Sequence, residues 1–72
     1  MGGREGAEVK VTKMFVRRKR MGLTQATLAQ MVGVTQPRIS AWENGKADVP
    51  EKRRAQIAEA LGIAAGELTE DA

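Results

Sequence analysis

LTQATLAQMVGVTQPRISAWENG, residues Leu23 to Gly45, is the stretch that decides the fold of this chain. It holds two short helical patterns, each opened by a threonine. Thr24 is suited to cap the first helix, because its hydroxyl can accept from the free N–H groups of the first turn. Leu23 can pack on Leu28 across this cap as a hydrophobic staple. The first helix is therefore predicted to begin at about Gln25.

The second helical pattern follows a tight break. Gly33 stands where a helix C-terminal cap favours a residue that reaches positive φ without steric cost. Thr35 then repeats the capping device, and Pro37 falls in the first turn, where a missing N–H costs nothing. We expect a helix over Gln36 to Glu43, so the whole stretch predicts a helix-turn-helix.

The two faces of this second helix differ in chemistry. Helical angles place on its buried side Thr35, Ile39, Trp42 and Glu43. They place on its outward side Pro37, Ser40, Ala41 and Asn44, flanked by Gln36 and Arg38. The outward face is small, polar and free of acids. It is either a solvated surface or the side of a recognition helix that enters the DNA major groove.

In the second interpretation the side chains match the edges of particular bases. Gln36 can pair with adenine, and Arg38 can pair with guanine or contact a phosphate. Pro37 or Ala41 can contact a thymine methyl group.

Length and composition limit the alternatives. A chain of 72 residues makes one domain that buries only ~60% of its unfolded surface. It has no Cys and no His, which excludes zinc fingers, disulfide scaffolds and most nucleophilic catalysis. No titratable pair is placed for acid–base work, so we expect no enzyme activity, no metal and no cofactor. No long apolar run or signal-like start is present, which predicts a cytoplasmic protein with no membrane contact.

Positive charge is concentrated around the central stretch. The formal net charge is +3, but residues 9–54 carry eleven Lys or Arg against three acids, a local +8. Residues 1–8 carry −1 and residues 55–72 carry −4. Such a distribution suits a phosphate-facing surface, although basic runs also serve only as solubilising faces.

The first predicted helix of the chain spans roughly Val9 to Met21, after a Gly-rich segment over residues 1–8 that reads as a disordered arm or a cloning remnant. Arg18 lies in the middle of the apolar face of this helix, so its charge needs a partner. Glu43 is the acid on the inward side of the recognition helix, and a bidentate pair between the two is the expected solution. The alternative is that Arg18 extends to solvent.

A fourth helix is expected from Pro50, at its first position, to Leu61, and a short fifth one from about Ala64 to Thr69. Three cations fall in the first turn of the fourth helix, where the helix macrodipole opposes positive charge. A phosphate bound there would reverse the penalty. The alternative is a solvated turn partly offset by nearby acids. The cations are Lys52, Arg53 and Arg54.

At this point a resemblance is evident. LTQATLAQMVGVTQPRISAWENGK resembles the helix-turn-helix of the Cro/C1-type (XRE, lambda-repressor-like) family, and with Arg18 before it and Ala60-Leu61-Gly62 after it the match covers about residues 9–68. The resemblance implies an all-α, compact five-helix domain over residues 9–69, followed by an acidic tail over 70–72. It also implies the docking geometry known for phage repressors of this type.

Site residues follow from the resemblance position by position. Gln25 looks like the family's phosphate-clamping glutamine, and Gln36 like its base-reading residue. Arg38, Ser40 and Ala41 fall where the family varies its contacts, and Arg18 with Glu43 matches its buried ion pair. The loop of Asn44, Gly45 and Lys46 resembles the exit that presents N–H groups and a cation to phosphate. The full set of expected phosphate-binding residues is Gln25, Thr35, Asn44, Lys46, Lys52, Arg53 and Arg54.

Pro37 and Ala41 depart from the family pattern and reduce the hydrogen bonds available for base reading. The expected function is a nucleoid-associated, sequence-specific regulator of transcription, a repressor in form, that binds double-stranded DNA as a homodimer on an inverted repeat. A toxin or another regulator is a further candidate partner. The alternative is a protein-interaction adaptor or antitoxin-type module with the same fold and weak or non-specific DNA binding.

Overall fold

The computed structural model describes residues 11–72. The arm expected over residues 1–8 and the first two residues of the first predicted helix lie outside them. Within this range the chain forms four α-helices and one 3₁₀ turn. They are α1 Lys13–Arg20, α2 Gln25–Val32, α3 Gln36–Glu43, α4 Glu51–Leu61 and the 3₁₀ turn Ala65–Glu67. The all-helical architecture is as predicted, but the five-helix count is not confirmed, since the last element within residues 11–72 is a 3₁₀ turn.

The last expected helix is reduced to the 3₁₀ turn Ala65–Glu67, and the chain beyond it pairs with the start of α1. The carbonyls of Leu68 and Glu70 accept from the N–H groups of Met14 and Lys13, at 3.1 and 2.9 Å. Leu68 is fully buried, so the turn delivers one core side chain and then pairs with the start of α1.

Helix α1 begins later than the pattern suggested. Thr12 is its N-cap, and its hydroxyl accepts from the N–H of Phe15 at 3.2 Å. Thr12 also forms an isolated antiparallel bridge with Asp71. The N–H of Ala72 donates to the Val11 carbonyl at 2.8 Å, so Val11 takes part in this pairing and not in the helix, and it is 40% exposed.

Caps define the helix-turn-helix. Thr24 accepts from the N–H of Thr27 at 3.0 Å, as expected. Gly33 closes α2 in the left-handed region at φ 77°, which residues with a Cβ adopt only at a cost. Thr35 occupies the N-cap position of α3, but its hydroxyl makes no capping bond and its side chain is exposed. The expectation that Thr35 lies on the buried side of α3 is therefore wrong.

Helix α4 begins one residue later than expected, since Pro50 is its N-cap and Glu51 its first residue. The N–H of Arg54 bonds to the Pro50 carbonyl at 2.8 Å, which is the first α-helical bond of the element.

One apolar core joins all the elements, with α2 packed against both α3 and α4. It takes a residue or more from every helix and one from the loop before α4. Its buried members are Met14, Leu28, Ala29, Val32, Ile39, Trp42, Val49, Ile57, Ala58, Leu61 and Leu68. None of the helices in residues 11–72 combines the length and the apolarity that crossing a bilayer requires.

Candidate nucleic-acid interface

The position of α3 depends on a buried ion pair between two helices. Nη2 of Arg18 donates to Oε1 of Glu43 at 3.1 Å, and Nε donates to Oε2. The third nitrogen, Nη1, donates to the carbonyl of Leu23 at 2.7 Å. Arg18 is 6% exposed and Glu43 is 1% exposed, so the structure places the expected partners together in the interior. The pair connects α1 to the C-terminal end of α3.

The same carboxylate supports two glutamines that reach the surface. Nε2 of Gln25 donates to Oε1 of Glu43 at 3.0 Å. Nε2 of Gln36 in turn donates to Oε1 of Gln25 at 3.3 Å. The expected phosphate contact and the expected base reader are therefore bonded to each other and anchored on an interior charge. Sequence reasoning did not find this link, although the two glutamines occupy the same position, directly after the N-cap, in their helices.

The outward face of α3 is only partly as open as the helical angles suggest. Gln36, Pro37, Arg38 and Asn44 are exposed, whereas Ser40 and Ala41 are half-buried. Nδ2 of Asn44 lies 3.4 Å from Oγ of Ser40. The most accessible part of the face is thus its first turn, which carries Gln36, Pro37 and Arg38.

None of the exposed residues of α3 is acidic. The single carboxylate in the helix is that of Glu43, and Arg18 neutralises it in the interior. An anionic polymer that approaches the outward face of α3 therefore meets no repulsive charge from the helix itself.

The exit loop after α3 offers side chains but few free donors from its backbone. The N–H of Asn44 donates to the Ser40 carbonyl at 3.0 Å, and that of Lys46 to the Ala41 carbonyl at 2.9 Å. The N–H of Gly45 donates to the Trp42 carbonyl at 3.2 Å. The expectation that this loop presents N–H groups to a phosphate is wrong. The exposed side chains of Asn44 and Lys46 are what the loop presents.

The three cations at the start of α4 have different surroundings. Nη1 of Arg53 donates to the carbonyl of Val32 at 2.9 Å, so it satisfies a free carbonyl at the C-terminal end of α2. Nη2 of Arg54 lies 3.4 Å from the Val49 carbonyl. Lys52 is exposed, and no ion pair or hydrogen bond of its side chain is found within residues 11–72. Two of the three cations therefore have intramolecular partners that the sequence did not reveal.

Arg17 makes the same kind of hydrogen bond as Arg53, but at the C-terminal end of α4. Its Nε donates to the carbonyl of Leu61, the last residue of α4, at 2.7 Å. A cation placed beside the C-terminal carbonyls of a neighbouring helix is stabilised both by the hydrogen bond and by the helix macrodipole. Part of the basic composition of this chain therefore serves the packing of its helices.

Comparison with known proteins identifies the class. The model of the helix-turn-helix family matches residues 16–68, which is most of the chain. The chain therefore belongs to the helix-turn-helix family, of the Cro/C1 (XRE-like) type, a family of DNA-binding regulators.

Among solved structures, the chain is similar to part of the hydroxypropylphosphonic acid epoxidase from S. wedmorenis, solved in complex with fosfomycin. The sequences are 33% identical, the TM-score is 0.67, and the match covers 78% of this chain. This chain spans only 30% of the length of that protein. A comparison with curated proteins gave no significant match.

Proposed function

We propose that this domain, over residues 9–69, binds double-stranded DNA in a sequence-specific manner with α3 in the major groove. The observation that carries the proposal is the anchored Gln36, exposed at the start of an acid-free face and held by Gln25 at 3.3 Å. A base-reading amide needs a defined orientation, because an inverted amide exchanges donor for acceptor.

The bond between the two glutamines gives that orientation. Gln36 donates one of its two N–H groups to Gln25, so its second N–H and its carbonyl oxygen remain for a ligand. One donor beside one acceptor is the pattern that adenine complements in the major groove. Arg38, Ser40 and Ala41 complete the proposed base-reading set together with Pro37.

Phosphate contacts are assigned to residues around this face. Lys46 and Lys52 are the clearest of the proposed set, since both are exposed cations. Gln25, Thr35 and Asn44 can add polar contacts. Arg53 and Arg54 can add charge while they keep their carbonyl partners. Such contacts fix the register of a protein on the duplex, and base contacts supply the sequence preference.

The biological form we propose is a homodimeric regulator of transcription, a repressor, acting on an inverted repeat in the cytoplasm at the nucleoid. One module of this size reads only about four or five base pairs, and two modules ~34 Å apart would read a palindrome. A protein partner such as a toxin or another regulator is compatible with this form.

Selection of bound duplexes from a random pool by the purified chain tests the proposal. A recovered palindrome with adenine at one position of each half-site supports sequence-specific binding by a dimer. A single half-site supports binding by a monomer. If the pool shows no enrichment, and binding is lost evenly on all sequences as salt rises, the adaptor or antitoxin-type alternative is favoured.

A further inference from the structure

Two grooves flank the outward face of α3. One, of about 380 Å³, is lined by residues of the turn and of α3, with Arg38 and Arg53 as its cations. The other, of about 410 Å³, lies between the end of α1 and the starts of α2 and α3. It is lined by Lys19 together with Gln25 and Gln36.

These grooves lie on opposite sides of the outward face of α3. Gln36 and Arg38, which line different grooves, are two residues apart, or about 200° around the helix axis. In a duplex the major groove is bounded by one sugar-phosphate backbone on each side. A helix inserted with Pro37 at its leading edge therefore directs each flanking groove toward a different strand.

Lys19 is the available cation of the second groove. Arg18 also lines it, but its guanidinium donates to Glu43 and to the Leu23 carbonyl, which leaves it with a neutralised charge. Lys19 is exposed, and no carboxylate of residues 11–72 lies within ion-pair distance of it.

The ammonium group of Lys19 also lies near an aromatic ring. Its Nζ lies 5.9 Å from the centroid of the Phe15 ring, at the outer limit of a cation–π contact. A contact of this kind forms no conventional hydrogen bond with the ammonium group. The group therefore keeps all three donors for an anion at the mouth of the groove.

We propose that Lys19 binds a backbone phosphate of the DNA strand on the Gln36 side of α3. The proposal rests on the proposed function and extends its footprint to the C-terminal end of α1. Arg38 and the cations near the start of α4 then contact the opposite strand. Both backbones would be held, so the angle of α3 in the groove would be set from two sides.

The test compares Lys19→Ala with Lys13→Ala on a duplex selected by the wild-type chain. Lys13 is on the same helix, but its charge is paired with Glu70 at 2.9 Å. We expect Lys19→Ala to make the plot of log affinity against log salt shallower by about one unit for each protomer bound, with the same preferred sequence. Lys13→Ala should leave that slope unchanged. Lys19→Arg should retain the wild-type slope.

Ethylation of single phosphates locates the contact. With the wild-type chain, an ethyl group on one phosphate of the Gln36-side strand should block binding, and with Lys19→Ala that position should become indifferent. An unchanged slope and unchanged interference in Lys19→Ala, with wild-type binding intact, overturn this proposal alone. Failure of the wild-type chain to bind any duplex overturns the proposed function and this proposal together.

Discussion

Gln25 and Gln36 stand at equivalent positions in successive helices, and their side-chain amides meet across the turn at 3.3 Å. Gln25 is itself bonded to Glu43, so the series continues inward to the Arg18 guanidinium. An interior charge pair thereby orients a surface side chain that is proposed to read a base.

Gln36→Ala should relax the preference at one base position by ~1–3 kcal/mol, because one bidentate base contact is lost. Competition between the selected duplex and its single-base variants measures the effect. Equal weakening on every sequence would contradict the base-reading role. Thr27→Ala is a suitable control, since Thr27 is exposed on α2 and, among residues 11–72, its side chain bonds to Thr24 alone.

Arg18→Met should lower the free energy of unfolding by ~3–5 kcal/mol, since Glu43 is left buried without its counter-charge. Urea denaturation measures the loss. Arg20→Met on the exposed surface of the same helix is the matched control and should change stability by less than ~0.5 kcal/mol. Equal stability of the two variants would show that Glu43 is not dependent on Arg18.

Lys46→Ala should weaken binding to all duplexes alike and make the salt slope shallower by about one unit for each protomer bound. The reason is that an exposed cation after α3 has a phosphate but no base edge to contact. Titrations of a selected and a scrambled duplex over a range of salt test this. A slope equal to that of the wild-type chain would remove Lys46 from the phosphate-binding set.

Arg53→Lys should distinguish the contribution of Arg53 to stability from its contribution to DNA binding. The charge is kept, so the salt slope should stay close to that of the wild-type chain. The hydrogen bond to the Val32 carbonyl is weakened, and stability should fall by about 1–2 kcal/mol. Thermal unfolding and salt titration of the same sample give both values. Loss of slope with intact stability would assign Arg53 to phosphate contact alone.

The ion pair between Lys13 and Glu70 predicts that the stability of the fold depends on pH in the alkaline range. The hydrogen bond to Glu70, together with the attraction of that carboxylate, raises the pKa of Lys13 above its ordinary value. The stability from this pair is therefore fully present below the pKa that Lys13 has in the unfolded chain. It disappears as pH rises through the higher pKa that Lys13 has in the folded protein. The melting temperatures of wild type and Lys13→Met should differ at about pH 8 and converge at strongly alkaline pH.

The helices near the centre of the chain could be predicted closely from local sequence. The caps at Thr24 and Gly33 and the apolar spacing of α2 and α3 act between residues that are close in the chain. Their effect can therefore be predicted from the sequence alone. The bounds of α3 are those expected. The start of α1 and the end of the chain differ from the prediction, because both depend on pairing between residues 11–14 and 68–72, far apart in the chain.

The candidate site divides in the same way. The class of domain and Glu43 as the partner of Arg18 could be predicted from residue types, spacing and the concentration of positive charge. The helical angles predicted the exposed first turn of α3 but not the partial burial of Ser40 and Ala41. Only the tertiary structure decided which cations are consumed by packing, since Arg17 and Arg53 bond to helix ends distant in sequence. It alone joined Gln36 through Gln25 to Glu43, because hydrogen bonds depend on distances of about 3 Å that helical periodicity cannot specify.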